Sequence, residues 1–393
     1  MSKINVVFIT RWYVPEWKAC TIRILYFVKS FLSVGANVYV LILRSPHELP
    51  CTRVDCEHVI NVKLFHFPRK ITAEYFSLLT NMPRLVNKLS KIIMDINAII
   101  ASVPPADTAF MGYYLSKFLN SKLIIDVRDL WEYTIADIYT WHFPKLQHIL
   151  SKPYISSYLS IAERADLITT SSVGQKVFYE LNYRVNRNKL RVIYNGSDSG
   201  LFSRYIRQRC ESDTFIGIGL GEYEARYQML STILYIISKV LRKGINIKLR
   251  AIGKIGSLDF IHDSKVKDKV EIIKPLPYEM LPIVMKNASF GVIGRPNTLP
   301  WKLSVPVKLF DYIACGLPIF AFGPPKSELQ FFIERFGLGM YVPSNDVDVL
   351  ANKLVEFIKN LDNYDRKHIL KVARFFDRRK WAKRFVKVVE SLL

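Results

Sequence analysis

Residues Val305–Gly323 read "VPVKLFDYIACGLPIFAFG". Pro306 suits the first position of a helix, and apolar residues recur at helical spacing until Gly316 and Pro318 stop it. The run 317–322 that follows is continuously apolar, as in a parallel strand covered on both faces. A helix feeding a buried strand is half of a βαβ unit, which predicts an α/β chain. At the mouth of this helix Lys308 and Asp311 lie three residues apart, on one face.

Outward from this stretch the alternation continues. Apolar strands are expected at 4–9, 37–43, 62–67, 97–102, 122–126, 166–170 and 190–194, with helices between them such as Ile22–Val34, stopped by Gly35. The polar segment 200–213, "GLFSRYIRQRCES", breaks the rhythm and reads as a linker. Strands resume at 214–219, 247–252, 270–273, 289–293 and 317–322. Two doubly wound domains follow, with a ligand cleft expected at the carboxyl ends of their strands.

The 393 residues suit two domains, and half of them are apolar, which is globular composition. No run reaches the 18 or more apolar residues of a membrane span. The opening "MSKINVVFITRWY" has too short an apolar run for a signal peptide, so a cytoplasmic protein is expected. The five cysteines form no CxxC pair and no zinc quartet; a Cys51–Cys56 bridge is the one alternative to free thiols. A net charge of +22 predicts an anionic partner: nucleic acid, acidic lipid or phosphorylated substrate. The charge is diffuse and no nucleic-acid-binding module is readable, so nucleic acid is not expected. The densest basic patch lies in 364–393, with ten Lys/Arg against three Asp/Glu. Its final helix carries Trp381, Phe385, Val388 and Leu392 on one face, to pack on a domain or to lie on anionic lipid. The segment Leu78–Ile92 poses the same choice.

The helix N-terminus and Lys308 together make an anion site. Beside phosphate, the Asp311 carboxylate would accept from sugar hydroxyls; an ordinary ion pair would use the same two residues.

The pattern P-x-K-L-F-D-Y-I-A-C-G-L-P-I resembles the donor-site signature of family-4 glycosyltransferases of the GT-B fold. Other segments match in order: 8–42 looks like their first strand, loop and helix, and "IIDVRDLW" (124–131) like a motif of polysaccharide-building members. "ADLITTSS" (165–172), "LRVIYNGSD" (190–198) and the closing "FFDRRKWAKRFVKVVESLL" (375–393) complete the series. The resemblance spans essentially the whole chain. It implies two Rossmann-like domains facing across a cleft: an acceptor-side domain over 1–203, a nucleotide-sugar donor domain over 204–375, and a helix over 376–393 returning to the first.

By this resemblance the chain moves a sugar from a nucleotide-diphosphate-sugar to a glycan or polyprenyl-linked acceptor, with retention and without metal or further cofactor. Asp129, Lys308 and Arg226 are the catalytic candidates. Donor-side candidates are Asp311, Lys308, Arg226, Gly219, Gly221, Gly253, Arg295, Pro306 and Val307. Acceptor-side candidates are Arg23, Arg128, Asp129 and Asn195. The basic excess suits a cytosolic membrane face. The family's first acid is replaced by Leu303, its phosphate-binding lysine is missing from "IGIGLGEYEARYQ" (216–228), and its Gly-Gly is replaced by Lys18–Thr21. An epimerase-like GT-B enzyme and a catalytically decayed homologue are the alternatives.

Overall fold

A computed structural model describes residues 3–13, 19–44, 58–63, 83, 86–87, 91, 95–130, 144–205, 214–219, 229–253, 255 and 264–393. They form two compact units, one from Met1–Tyr194 with Arg379–Leu393, the other Asn195–Arg378.

The first unit holds a seven-stranded sheet: β1 (Asn5–Thr10), β2 (Asn37–Arg44), β3 (His58–Lys63), β4 (Ala98–Val103), β5 (Lys122–Val127), β6 (Leu167–Thr170) and β7 (Leu190–Val192). Its spatial order is β3-β2-β1-β4-β5-β6-β7 and all pairs are parallel. Helices α1 (Ala19–Ser33), α2 (Asp107–Phe118), α3 (Pro144–Arg164) and α4 (Val173–Asn182) alternate with the strands. Strands β1, β4 and β5 are almost wholly buried, which accounts for their continuous apolar runs. β3 lies earlier than the expected 62–67, and 64–67 fall outside the described residues.

The last helix, α10 (Arg378–Glu390), packs into this unit. Phe385 stacks on Phe27 of α1 at 4.2 Å and meets Phe31 edge-on at 6.1 Å. Trp381 meets Tyr194 edge-on at 5.0 Å. Its buried face is Trp381, Ala382, Phe385, Val386 and Val389; Val388 and Leu392 are only half-buried.

The second unit repeats the plan with β8 (Thr214–Ile218), β9 (Lys248–Ile252), β10 (Val270–Ile273), β11 (Gly291–Gly294), β12 (Ile319–Phe322) and β13 (Gly339–Val342), in the order β10-β9-β8-β11-β12-β13. Its longer helices are α5 (Leu230–Arg242), α6 (Val307–Ala314), α7 (Glu328–Arg335), α8 (Val347–Lys359) and α9 (Arg366–Phe375). Phe215 and Phe290 stack at 4.9 Å in its core, and Phe357 of α8 packs edge-on against Phe290. In both sheets the strand order reverses beside the first strand, between β1 and β4 and between β8 and β11. Such reversals are where open α/β sheets bind ligands.

Pro306, expected as the first helical residue, is instead the N-cap of α6 in extended conformation, and the helix begins one residue later at Val307. Gly316, at φ 68°, ends the helix in the left-handed conformation that only glycine adopts without strain. Among the described residues no helix is long and apolar enough to cross a membrane. Cys20 and Cys315 are buried free thiols; Cys51, Cys56 and most of 78–92 lie outside the described residues.

Candidate functional site

The second unit's strand reversal is held open by α6. Pairing of β8 with β11 runs through Ile216 and Gly291. The next rung would join Ile218 N–H to Val292 C=O. The Tyr312 hydroxyl occupies it instead, accepting from Ile218 N at 3.0 Å and donating to Val292 O at 3.3 Å. Burial pushes its pKa upward, so it stays protonated and can donate. Gly291 provides the room: a Cβ there would lie 2.3 Å from the Tyr312 ring.

Lys308, on the first turn of α6, is buried and donates its ammonium to the Ile218 carbonyl. A full cation therefore stands at the last residue of β8, beside Gly219 with φ 69°. Pro306 supplies no side-chain cap, so the first N–H groups of α6, from Val307 on, carry the helix's positive end uncapped by a side chain. Arg295 follows β11 directly, is 3% exposed, and stacks its guanidinium 4.2 Å from the Trp301 ring. Gly253 follows β9 and donates its N–H to Ile273 O at 2.9 Å, continuing the ladder to β10. Lys308, Gly219 and Arg295 thus gather at the carboxyl ends of the two strands that flank the reversal. Arg226 and Gly221 lie outside the described residues.

Asp311 lies one turn further along α6 and is 4% exposed. Its Oδ1 accepts from the Tyr278 hydroxyl at 3.2 Å, and Ser197 also bonds its carboxylate. Burial raises its pKa to about 6, against the pull of the Arg378 charge and the hydrogen bonds from Ser197 and Tyr278.

In the first unit, Arg23 of α1 forms a buried two-pronged pair with Asp126 at 2.9 and 2.8 Å, and Thr169 donates to the same carboxylate at 2.7 Å. The proposed acceptor-side arginine is thus enclosed within the unit. Arg128 donates to Pro104 O, while its own carbonyl accepts from Ser171 Oγ and Gln175 Nε2. Asp129 follows, half-buried, beyond the end of β5. At this unit's strand reversal stands a pair the sequence reading missed: Arg11, just past β1, bonds Asp107 at the start of α2 at 2.7 Å. Asn195 begins the second unit, and its carbonyl accepts from Arg378 Nε at 3.3 Å.

No protein-family profile and no curated protein matches this sequence. Solved structures do match. A glycosyltransferase from Rickettsia africae superposes with a TM-score of 0.69 at 11% identity, over 100% of this chain and 99% of that one. Sucrose-phosphate synthase from Thermosynechococcus elongatus gives 0.70 at 12% identity, over 99% of each chain. Anabaena HepE in complex with UDP-glucose gives 0.68 at 12% identity, over 99% of this chain and 100% of that one. The chain has the GT-B glycosyltransferase fold.

Within this GT-B chain, Tyr278, Ser197 and Arg378 around Asp311 and Tyr312 at the β8–β11 opening are residues that the sequence does not single out. Tyr312 sits beside Asp311 in the quoted stretch, but its place opposite Gly291 is a long-range contact that the sequence does not signal. Arg378 lay hidden in the basic run "RRK" (378–380).

Proposed function

We propose that this chain transfers a sugar from a nucleotide-diphosphate-sugar to a glycan or lipid-linked acceptor, with retention of configuration and without a metal. The observation that carries the reading is Lys308: a buried cation at the uncapped start of α6, set where β8 and β11 part. Negative charge accumulates on the departing diphosphate as the glycosidic bond breaks. A fixed cation and a helix's positive end stabilise that charge without reorganising. Arg295, and Arg226 by its place in the sequence, would add to this field, and Asp311 would accept from the ribose hydroxyls. Structures of the same fold that hold UDP-glucose support a nucleotide-sugar donor.

Asp129, past β5 in the first unit, is the candidate for orienting the attacking hydroxyl. The membrane reading draws on α10, where Arg379, Lys380, Lys383, Arg384 and Lys387 are all exposed. Near an anionic surface each adds about 1 kcal/mol of attraction. Sedimentation with anionic but not neutral liposomes at low salt supports a membrane-linked acceptor, and no sedimentation counts against it.

The first experiment is a thermal-shift screen against UDP, GDP, dTDP and ADP and their sugar conjugates. A ligand at about a hundred times its dissociation constant adds roughly 2.7 kcal/mol, a readily measured shift. Selective stabilisation by one nucleotide supports the donor site. A shift without turnover on any acceptor favours the decayed homologue, for which Leu303 in place of an acid is the motive. Release of an altered sugar without acceptor favours the epimerase-like reading.

A further inference from the structure

The chain enters the second unit at Asn195 and leaves it at Arg378. These two ends are fastened to each other. Ser197 N donates to Phe376 O at 3.2 Å, and Arg378 N donates to Ser197 O at 2.9 Å. Ser199 donates its N–H at 3.2 Å, and its hydroxyl, to Asp377. The Arg378 guanidinium donates twice to Gly196 O, at 3.1 and 2.7 Å.

This clasp closes on one phenol. Asp198 N donates to the Tyr278 hydroxyl at 3.2 Å, Ser197 Oγ lies 3.1 Å from it, and the Arg378 guanidinium sits 4.9 Å from the ring centroid. The same hydroxyl donates to Asp311 on α6. A buried carboxylate is costly unless it is paired and hydrogen-bonded. Here the partners are Tyr278 of the turn 278–280 and, from the two ends of the unit, Ser197 and Arg378, rather than residues of the helix itself.

We infer that Tyr278 and Arg378 are positioning residues for Asp311, holding its carboxylate in place and ionisable on the donor helix and tying that helix to the segments by which the chain enters and leaves the unit. The role in donor binding rests on the reading under Proposed function; the hold on the carboxylate does not. The groups facing Asp311 are Tyr278 from the turn 278–280, Ser197 and Arg378 from the clasp, and Tyr312 and Cys315 on its own helix. Burial keeps both tyrosines and the thiol protonated, so Arg378 is the one charge among them.

Tyr278→Phe removes the hydroxyl and keeps the ring under Arg378. The test follows Asp311 directly in the full chain, as the ¹³Cγ-aspartate resonance lost in Asp311→Asn. In Tyr278→Phe its titration midpoint rises by about one pH unit, for the loss of one hydrogen bond to the charged form. Arg378→Gln raises it as well, and Arg378→Lys, which keeps the charge, raises it less. In parallel, dissociation constants for UDP, GDP, dTDP and ADP are measured by calorimetry near pH 7. The nucleotide that binds wild type binds Tyr278→Phe about tenfold more weakly. An unmoved midpoint in Tyr278→Phe and Arg378→Gln overturns the inference. If wild type binds none of the four nucleotides, the donor reading falls. The midpoint comparison still decides the hold on Asp311, an upward shift supporting it and an unmoved one overturning it.

Discussion

Arg23 donates two hydrogen bonds to the Asp126 carboxylate inside the first unit, with both side chains almost fully excluded from solvent. Removing one partner strands a buried charge, which costs about 3–5 kcal/mol. Arg23→Met alone therefore lowers the unfolding free energy by about that amount in urea titration. Replacing both residues by apolar ones costs less than Arg23→Met alone, because no charge is left behind. An additive double mutant would show that the two do not act as a pair.

Gly291 and Tyr312 define the opening between β8 and β11. A methyl group at 291 would meet the Tyr312 ring at 2.3–2.7 Å, and the ring is fully buried. Gly291→Ala is expected to cost about 1–3 kcal/mol, the usual penalty for overpacking. Tyr312→Phe keeps the ring but leaves Ile218 N–H without its acceptor, for about 1–3 kcal/mol. Both are read from thermal or urea unfolding.

Most of the strands were legible because parallel strands buried on both faces write themselves as unbroken apolar runs; the strand order that creates the reversals is set by long-range pairing and was not. Segments 37–43 and 122–126 fall within β2 and β5. β13 escaped because "GMYV" is four residues long, opens on glycine and is only partly buried, so it carries no period to detect. Lys308 and its place at a helix start could be read from Pro306 and Gly316. The surroundings of Asp311 could not. Tyr278 and Ser197 are 33 and 114 positions away in sequence, and local spacing says nothing about such long-range contacts. Arg23 shows the same limit: its place in a motif says nothing of the buried pair that it forms with Asp126, 103 positions away.

Lys308 supports the donor reading through charge, and its replacement separates charge from fold. Lys308→Gln keeps a shorter hydrogen-bond donor while removing the cation. The loss of one charge-assisted hydrogen bond to phosphate, about 1.5–3 kcal/mol, weakens nucleotide binding by roughly ten- to a hundredfold. Calorimetry with the nucleotide that stabilises wild type measures this. Equal affinity in the two proteins would remove Lys308 from the site.

Asp311 gives the second unit a pH signature with a definite sign. Its pKa rises from 3.8 to about 6 on burial, so the folded chain holds this proton more tightly than the unfolded one. That contribution to stability is fully present below pH 3.8 and is lost as pH rises through about 6. Asp311→Asn keeps the shape and never ionises. Its stability relative to wild type therefore increases between about pH 4 and 6 and levels off above, by on the order of 3 kcal/mol for a shift of this size. Urea unfolding of both proteins across that range tests the sign as well as the size. A difference that shrinks with rising pH would mean that Asp311 is held as a stabilised carboxylate, with the Arg378 attraction outweighing burial.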